Sequence, residues 1–250
     1  MTPRQQFDLN GYLSAIDILS GLEVAEVRAA FDELEARIGK KEAQIGVMGR
    51  EREFSWLWEL AVNPRILDAV KDAYGANLLL IGTHVFCKYP VEDMGAESFV
   101  AWHQDVTYWG LEPPKAITAW LAIDDSNEEN GAMMVIPGSH KVGIVDHGKS
   151  HVQGNLLSVN QEVSDEVFDL NSAVTLSLRA GQVSLHDGLT IHGSHPNRST
   201  RRRCGAAIRF TTPEVRAVGN ENQTFQWQAV LVRGENRPGA MELLPEPDFG

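Results

Sequence analysis

The chain is short of cysteine, of basic residues and of long apolar runs, and each shortage removes a class of protein. Two cysteines, Cys87 and Cys204, in 250 residues cannot build a disulfide framework and fit a reducing compartment. Only 22 Lys and Arg stand against 34 Asp and Glu, a formal charge of −12, so nucleic acid and anionic membranes are not expected partners. No apolar run approaches the length of a membrane span. Met1–Tyr12 lacks a basic region followed by an apolar core, so no signal peptide is expected. The G-x-S-x-G elbow of serine hydrolases is missing, as are repeats and low-complexity segments. The expectation is a soluble cytoplasmic protein with one domain over residues 1–250, long enough to bury a core without staples.

What is present is two helical segments followed by many short strands. Ser20-Gly21-Leu22-Glu23 is a capping box, and Val24, Val27, Phe31, Leu34 and Ile38 behind it form one apolar stripe that Gly39 ends. A second helix is predicted from Pro64 to just before Gly75, with Ile66, Leu67, Val70 and Tyr74 on its apolar side. The aromatic run Phe54–Trp58 between them reads as core or as a pocket lid. Strand patterns cover Leu78–Tyr89, Ala101–Trp109, Ile117–Ile123, Met133–Ile136, Ala173–Leu178, Gln182–His192, Cys204–Thr211 and Thr224–Arg233. Residues 141–172 form an irregular insertion of the kind that serves as a lid, and His140, His147 and His151 beside or within it read as solvated. The pattern suggests one β sandwich or barrel with a helical flank.

The residues that carry chemistry begin at Trp102-His103-Gln104-Asp105. Alternate side chains of an extended strand share a face, so His103 and Asp105 project together with Gln104 turned away. A histidine and a carboxylate so placed, joined by a distant histidine, make the facial triad of non-haem Fe(II) enzymes, which leaves half the metal open. His192 fits as the third ligand, because it ends an apolar strand and Gly193 lets neighbouring backbone approach. His186 shares its predicted strand parity and reads as a donor behind the ligands or as a core residue. Further on, Arg203, Gly205, Ala207 and Arg209 share one strand face, opposite Cys204, Ala206, Ile208 and Phe210. Two small residues between two arginines make a polar cavity wall, and a guanidinium fork binds a carboxylate bidentately. His84 and Lys88 share a face with Gly82 and Phe86; Lys88 reads equally as a pocket lysine or a surface charge.

These residues, with Asn130-Gly131, Pro137-Gly138-Ser139-His140, His192-Gly193-Ser194 and Asn197 and Ser199 before Arg203, resemble the phytanoyl-CoA dioxygenase family of Fe(II)- and 2-oxoglutarate-dependent oxygenases. The resemblance covers roughly Leu78 to Phe210, and Phe7-x3-Gly11-Tyr12-Leu13 looks like the family's usual start. It implies a mainly β (α+β) fold, a double-stranded β-helix (a cupin-like jelly roll) with N-terminal helices packed on one sheet.

The same resemblance implies that His103, Asp105 and His192 bind Fe(II) and that Arg203 pairs with the distal carboxylate of 2-oxoglutarate. Ser194 and Trp120 stand where the family contacts this cosubstrate, and His84 and Lys88 line the matching strand. With O2, oxidative decarboxylation would give succinate, CO2 and a ferryl oxidant that takes a substrate hydrogen. Halogenating relatives have a small residue at the position of Asp105, so the carboxylate favours hydroxylation. Desaturation or ring formation stays open, as does a non-catalytic metal- or ligand-binding jelly roll. The expected partner is a small polar metabolite or natural product, contacted by Arg209, His84, Phe86 and Trp227, with Trp56 and Trp58 as further candidate walls. A zinc hydrolase is disfavoured by the lack of an adjacent general base.

Overall fold

The computed structural model describes residues 1–150, 152–157, 161–164, 168–219, 227–237 and 241–250. His151 and the start of the predicted Thr224 strand lie outside the described residues.

Local signals set the helices. Capping boxes Thr2/Gln5 and Ser20/Glu23 open helices Pro3–Asn10 and Gly21–Ile38, each cap side chain accepting from the backbone amide three residues on. Asn63 caps Pro64–Tyr74, which starts and stops where Pro64 and Gly75 predict. The aromatic run becomes a helix, Ser55–Ala61, that buries Leu57, Trp58, Leu60 and Ala61. Short helices at Lys40–Ile45 and Val91–Met94 complete the set among the described residues.

Two antiparallel sheets make the jelly roll. The larger runs in the order Tyr12–Asp17, Gln182–Asp187, Ile117–Ala122, Arg203–Thr211, Leu78–Lys88, Gln228–Arg233 and Glu242–Leu243, the last joined in parallel; Val47–Met48 also pairs with Leu78–Lys88. The smaller has the order Val174–Thr175, Met134–Val135, His192–Ser194 and Val100–His103. Strand alternation divides the large sheet cleanly. Ile117, Ala119, Leu121, Leu185, Cys204, Ala206, Ile208 and Phe210 pack with helix residues Phe31, Leu57, Ile66 and Val70 in the main core. Trp120, Ala122 and Ala207 turn the other way and meet Met133, Val135, Leu176 and Leu178 between the sheets.

The strand Leu78–Lys88 changes face partway. Arg209 opposes Gly82 while Phe210 opposes Leu80, so Ile81 is an extra residue in a bulge. Beyond it Gly82, His84, Phe86 and Lys88 fall opposite Arg209, Ala207, Gly205 and Arg203 on the inner face. The inner face of these two strands is therefore four cross-strand pairs long, in the grouping the sequence predicts. Among the described residues no helix is long and apolar enough to cross a membrane.

Three expectations need correction. The run Gln182–His192 is two strands, not one: it breaks after Asp187, and His192 restarts in the smaller sheet. A turn at Gly188 separates them, closed by the Thr190 amide on the Asp187 carbonyl, and an added Cβ at Gly188 would run into Val106. The His103 strand stops at His103, and Asp105 opens a 3-10 turn, Asp105–Tyr108. Trp58 is part of the main core and Trp56 packs against that core, so neither is a cavity wall.

Candidate active site and metal centre

His103 and His192 are direct cross-strand partners at the open end of the smaller sheet, and their rings lie 4.1 Å apart between centroids. Gly193 is what allows this approach, since a Cβ there would sit 3.0 Å from the Val100 carbonyl oxygen. Gln104 keeps extended backbone (φ −111°, ψ 136°), so the strand alternation carries through to Asp105 although the strand has ended. His103 Nε2 lies 3.7 Å and His192 Nε2 4.0 Å from Asp105 Oδ1. One ligand atom from each of the three comes within 4.8 Å of the others, and all are buried.

The remaining polar atoms of the trio are already engaged. His103 Nδ1 donates to the Ala101 carbonyl and His192 Nδ1 to the Thr190 carbonyl, each at 2.9 Å. With Nδ1 protonated, each Nε2 keeps its lone pair for a metal. Asp105 Oδ2 accepts from Thr118 Oγ1 at 2.9 Å and from His186 Nε2 at 3.3 Å, leaving Oδ1 towards the histidines. Burial alone would raise the Asp105 carboxyl, but the imidazoles of His103 and His186 beside it hold it well below the usual range. Burial, with His103 and His186 nearby, pushes the His192 imidazole well down, so it stays neutral. A carboxylate oxygen and two imidazole Nε2 atoms turned towards one another fit a divalent iron.

Arg203 begins its strand as a fully buried side chain, 1 % exposed. Its guanidinium lies 4.9 Å from the Trp120 ring centroid and 5.6 Å from that of Phe86. Gly205 opposes Phe86 on the neighbouring strand, and the Trp120 indole lies where a Cβ on Gly205 would be. Nε and Nη1 of Arg203 are buried without a hydrogen-bond partner among the described residues. Burial lowers its pKa to about 10, which still leaves it charged. A buried cation with unused donors fits the carboxylate of a keto-diacid.

Lys88 is buried beside it, which removes the surface-charge reading. Its ammonium donates to Ser194 Oγ (2.5 Å), the Ser194 carbonyl (3.2 Å) and the His195 carbonyl (2.6 Å). Burial, then Arg203, pushes its pKa well down. Ser194, Trp120, Lys88 and Arg203 thus converge. His84 lies on the same face, stacked 5.0 Å from Phe86, but its Nε2 is 3.3 Å from the Ile45 carbonyl, away from that group. Arg209 sits at the opposite end of the face over Trp109, whose carbonyl accepts from the Trp227 indole N–H.

The loop motifs act as braces. The Asn197 amide donates to the Lys88 and Arg201 carbonyls, and its oxygen accepts from the Ser199 amide and hydroxyl, which fixes where the Arg203 strand begins. Ser139 Oγ accepts from the Ile191 amide beside His192. Gly131 (φ +75°) packs against the His195 carbonyl, one of the Lys88 acceptors.

Two contributors escaped sequence reasoning, and one was misread. Thr118 holds Asp105; its inward parity with Trp120 was the available signal. Gln104, buried, donates to the Gly143 and Leu189 carbonyls and accepts from the Val145 amide, tying the insertion to the iron-ligand turn. His147 is not solvated, because its Nε2 accepts from the Gln104 amide at 3.0 Å. His186, from the larger sheet, takes the donor role rather than the core one.

The comparisons agree with this geometry. The family model for phytanoyl-CoA dioxygenase (PhyH) matches residues 7–205. The probable alpha-ketoglutarate-dependent hypophosphite dioxygenase of Stutzerimonas stutzeri is 29% identical over 229 residues, covering 89% of this chain and 78% of its own. The ectoine dioxygenase of Bordetella bronchiseptica is 26% identical over 231 residues, covering 84% and 74%. Among solved structures, the non-haem monooxygenase ThoJ in its apo form aligns with TM-score 0.77 and 29% identity over 98% of this chain and 87% of its own. With its triad in place and the match spanning most of its length, the chain belongs to the phytanoyl-CoA dioxygenase family.

Proposed function

We propose that this protein is an Fe(II)- and 2-oxoglutarate-dependent oxygenase that hydroxylates a small polar metabolite or natural product. The observation that carries the reading is Arg203, a buried guanidinium with unused donors on the strand face it shares with Arg209, whose cross-strand partner Thr118 holds Asp105. His103 Nε2, His192 Nε2 and Asp105 Oδ1 would hold iron on one side and leave the other side free. Arg203 would take the distal carboxylate of 2-oxoglutarate, with Trp120 and Ser194 bounding it and Lys88 holding Ser194 in place. When bound, iron with 2-oxoglutarate and O2 supplies an oxidant able to break a substrate C–H bond, yielding succinate and CO2.

The chain's own work is placement and exclusion. Thr118 and His186 orient the carboxylate, and the backbone carbonyls of Ala101 and Thr190 orient the imidazoles. Asp105 occupies the position that a halide would need, which favours hydroxylation. His84, Phe86, Arg209 and Trp227 would border the substrate, beside the stretch Gly143–His147 that Gln104 anchors. Small polar substrates are also what the printed names of the hypophosphite and ectoine relatives describe. A reducing compartment such as the cytoplasm suits Cys87 and Cys204, cross-strand partners that are both free thiols.

The test is anaerobic titration of the Fe(II) protein with 2-oxoglutarate, followed by admission of O2. A visible charge-transfer band and O2-dependent succinate are expected, with Arg203→Gln keeping the metal but needing far more 2-oxoglutarate. Iron that binds without any band at saturating 2-oxoglutarate overturns the reading.

A further inference from the structure

Arg209 lies six residues beyond Arg203 on the same strand face, with only Gly205 and Ala207 between them on that face. Its cross-strand neighbours are Gly82 on one side and Thr118 on the other. Thr118 is the residue whose hydroxyl holds Asp105. Arg209 therefore stands beside the metal-ligand carboxylate, at the other end of the face from Arg203.

Among the described residues no acid pairs directly with its charge. The guanidinium carbon is 5.3 Å from the Trp109 ring centroid, and Trp109 in turn meets Trp227 at 5.4 Å. Nε is buried with no hydrogen-bond partner among the described residues. Two acids act on it: Asp105, committed to the metal centre, and Glu51, whose Oε2 accepts from Thr83. The neighbouring His84 adds no second positive charge, because burial, then Arg209 itself, lowers its pKa to about 3. A half-buried guanidinium stacked on an indole, with no carboxylate among the described residues in contact, is a receptor for a planar or tetrahedral oxyanion.

That oxyanion is not the cosubstrate. Six strand residues cover about 20 Å, and a keto-diacid the length of 2-oxoglutarate cannot reach both arginines. We infer that Arg209 anchors a second anion subsite, and that the primary substrate is a compact molecule carrying a carboxylate, phosphonate or sulfonate close to the bond that reacts. The inference rests on the oxygenase reading above. It narrows "small polar" to "small anionic" and makes Trp109 and Trp227 the walls beside the charged end.

The probe is methylphosphonate, with acetate as a second anion and dimethyl methylphosphonate as the uncharged control. Each is titrated anaerobically into the Fe(II) protein saturated with 2-oxoglutarate, so that Arg203 is already filled, and binding is read by calorimetry and tryptophan fluorescence. Wild type is expected to bind methylphosphonate, Arg209→Gln to bind it roughly tenfold or more weakly, and Arg209→Lys to recover part of the loss. The neutral ester should bind neither protein measurably, and 2-oxoglutarate affinity should be the same in all three. Equal methylphosphonate binding by wild type and R209Q overturns the inference. So does ester binding as tight as the anion, no binding of either anion to wild type, or a loss of 2-oxoglutarate affinity in R209Q. If wild type with iron gives no 2-oxoglutarate band, it is the oxygenase reading that fails, while the anion titration still decides the role of Arg209.

Discussion

Thr118 donates its hydroxyl to Asp105 Oδ2 at 2.9 Å, and so reserves Oδ1 for the cluster formed with His103 and His192. Thr118→Val keeps the buried shape and removes only that donor, leaving His186 as the partner of Oδ2. Metal affinity should fall by roughly 10- to 100-fold, the usual effect of losing such an outer contact. Competitive titration with Fe(II) or Co(II) checks this; affinity equal to wild type would mean that the hydroxyl does not orient the carboxylate.

Arg203 predicts opposite effects on affinity and on stability. Arg203→Met should weaken 2-oxoglutarate by about 3–5 kcal/mol, the scale of a buried charge left without its partner. The empty protein should be no less stable than wild type, because it no longer buries an unpaired guanidinium. Calorimetric 2-oxoglutarate titration and thermal unfolding of the metal-free protein measure the two. A lowered Tm together with unchanged affinity would assign Arg203 to the fold instead.

Gly205 is where backbone makes room for the Trp120 indole. Gly205→Ala should cost about 1–3 kcal/mol by overpacking, and it should displace the ring that lies under Arg203. Stability and 2-oxoglutarate affinity should fall together, with Fe(II) affinity unchanged. Separate movement of the first two would break the link between that ring and the cosubstrate.

The helix start at Ser20 carries a pH signature. Hydrogen bonds from Arg65 and then from the Ser20 amide hold the Glu23 carboxyl at about 2, below its ordinary 4.5. A depressed carboxylate stabilises the fold fully above its unfolded pKa and loses that contribution as pH falls through the folded one. Glu23→Gln should therefore lower Tm at pH 7, and the gap from wild type should close between pH 4.5 and 2. A constant gap across that range would exclude ionisation of Glu23 as its source.

Legibility followed the kind of signal. The strand from Arg203 was readable because strict alternation of period two separates Cys204, Ala206, Ile208 and Phe210 from the cavity face. The same was true of the capping box at Ser20 and of Pro64, where one local hydrogen-bond pattern decides. The break at Gly188 was hidden, because an apolar run continues across it and the close approach of Val106 shows only in the fold. Gln104 and His147 were hidden for a different reason. Their partnership joins residues 43 apart in sequence, and neither side chain shows by its own pattern that it has a partner. Thr118 lay between these cases, on the right face but without a reason to be chosen until Asp105 was seen beside it.

The triad belongs to the smaller sheet and the turn that follows it, but it is braced from the larger. Two imidazoles hang from the smaller sheet, while the carboxylate is gripped by a hydroxyl and an imidazole from the larger. A metal ion here would thus fasten the imidazoles of the smaller sheet to a carboxylate that the larger sheet already grips. At a hundredfold excess over its dissociation constant, the ion would add about 2.7 kcal/mol against unfolding. Chelation should then lower the Tm and loosen the end of the sandwich where the triad sits.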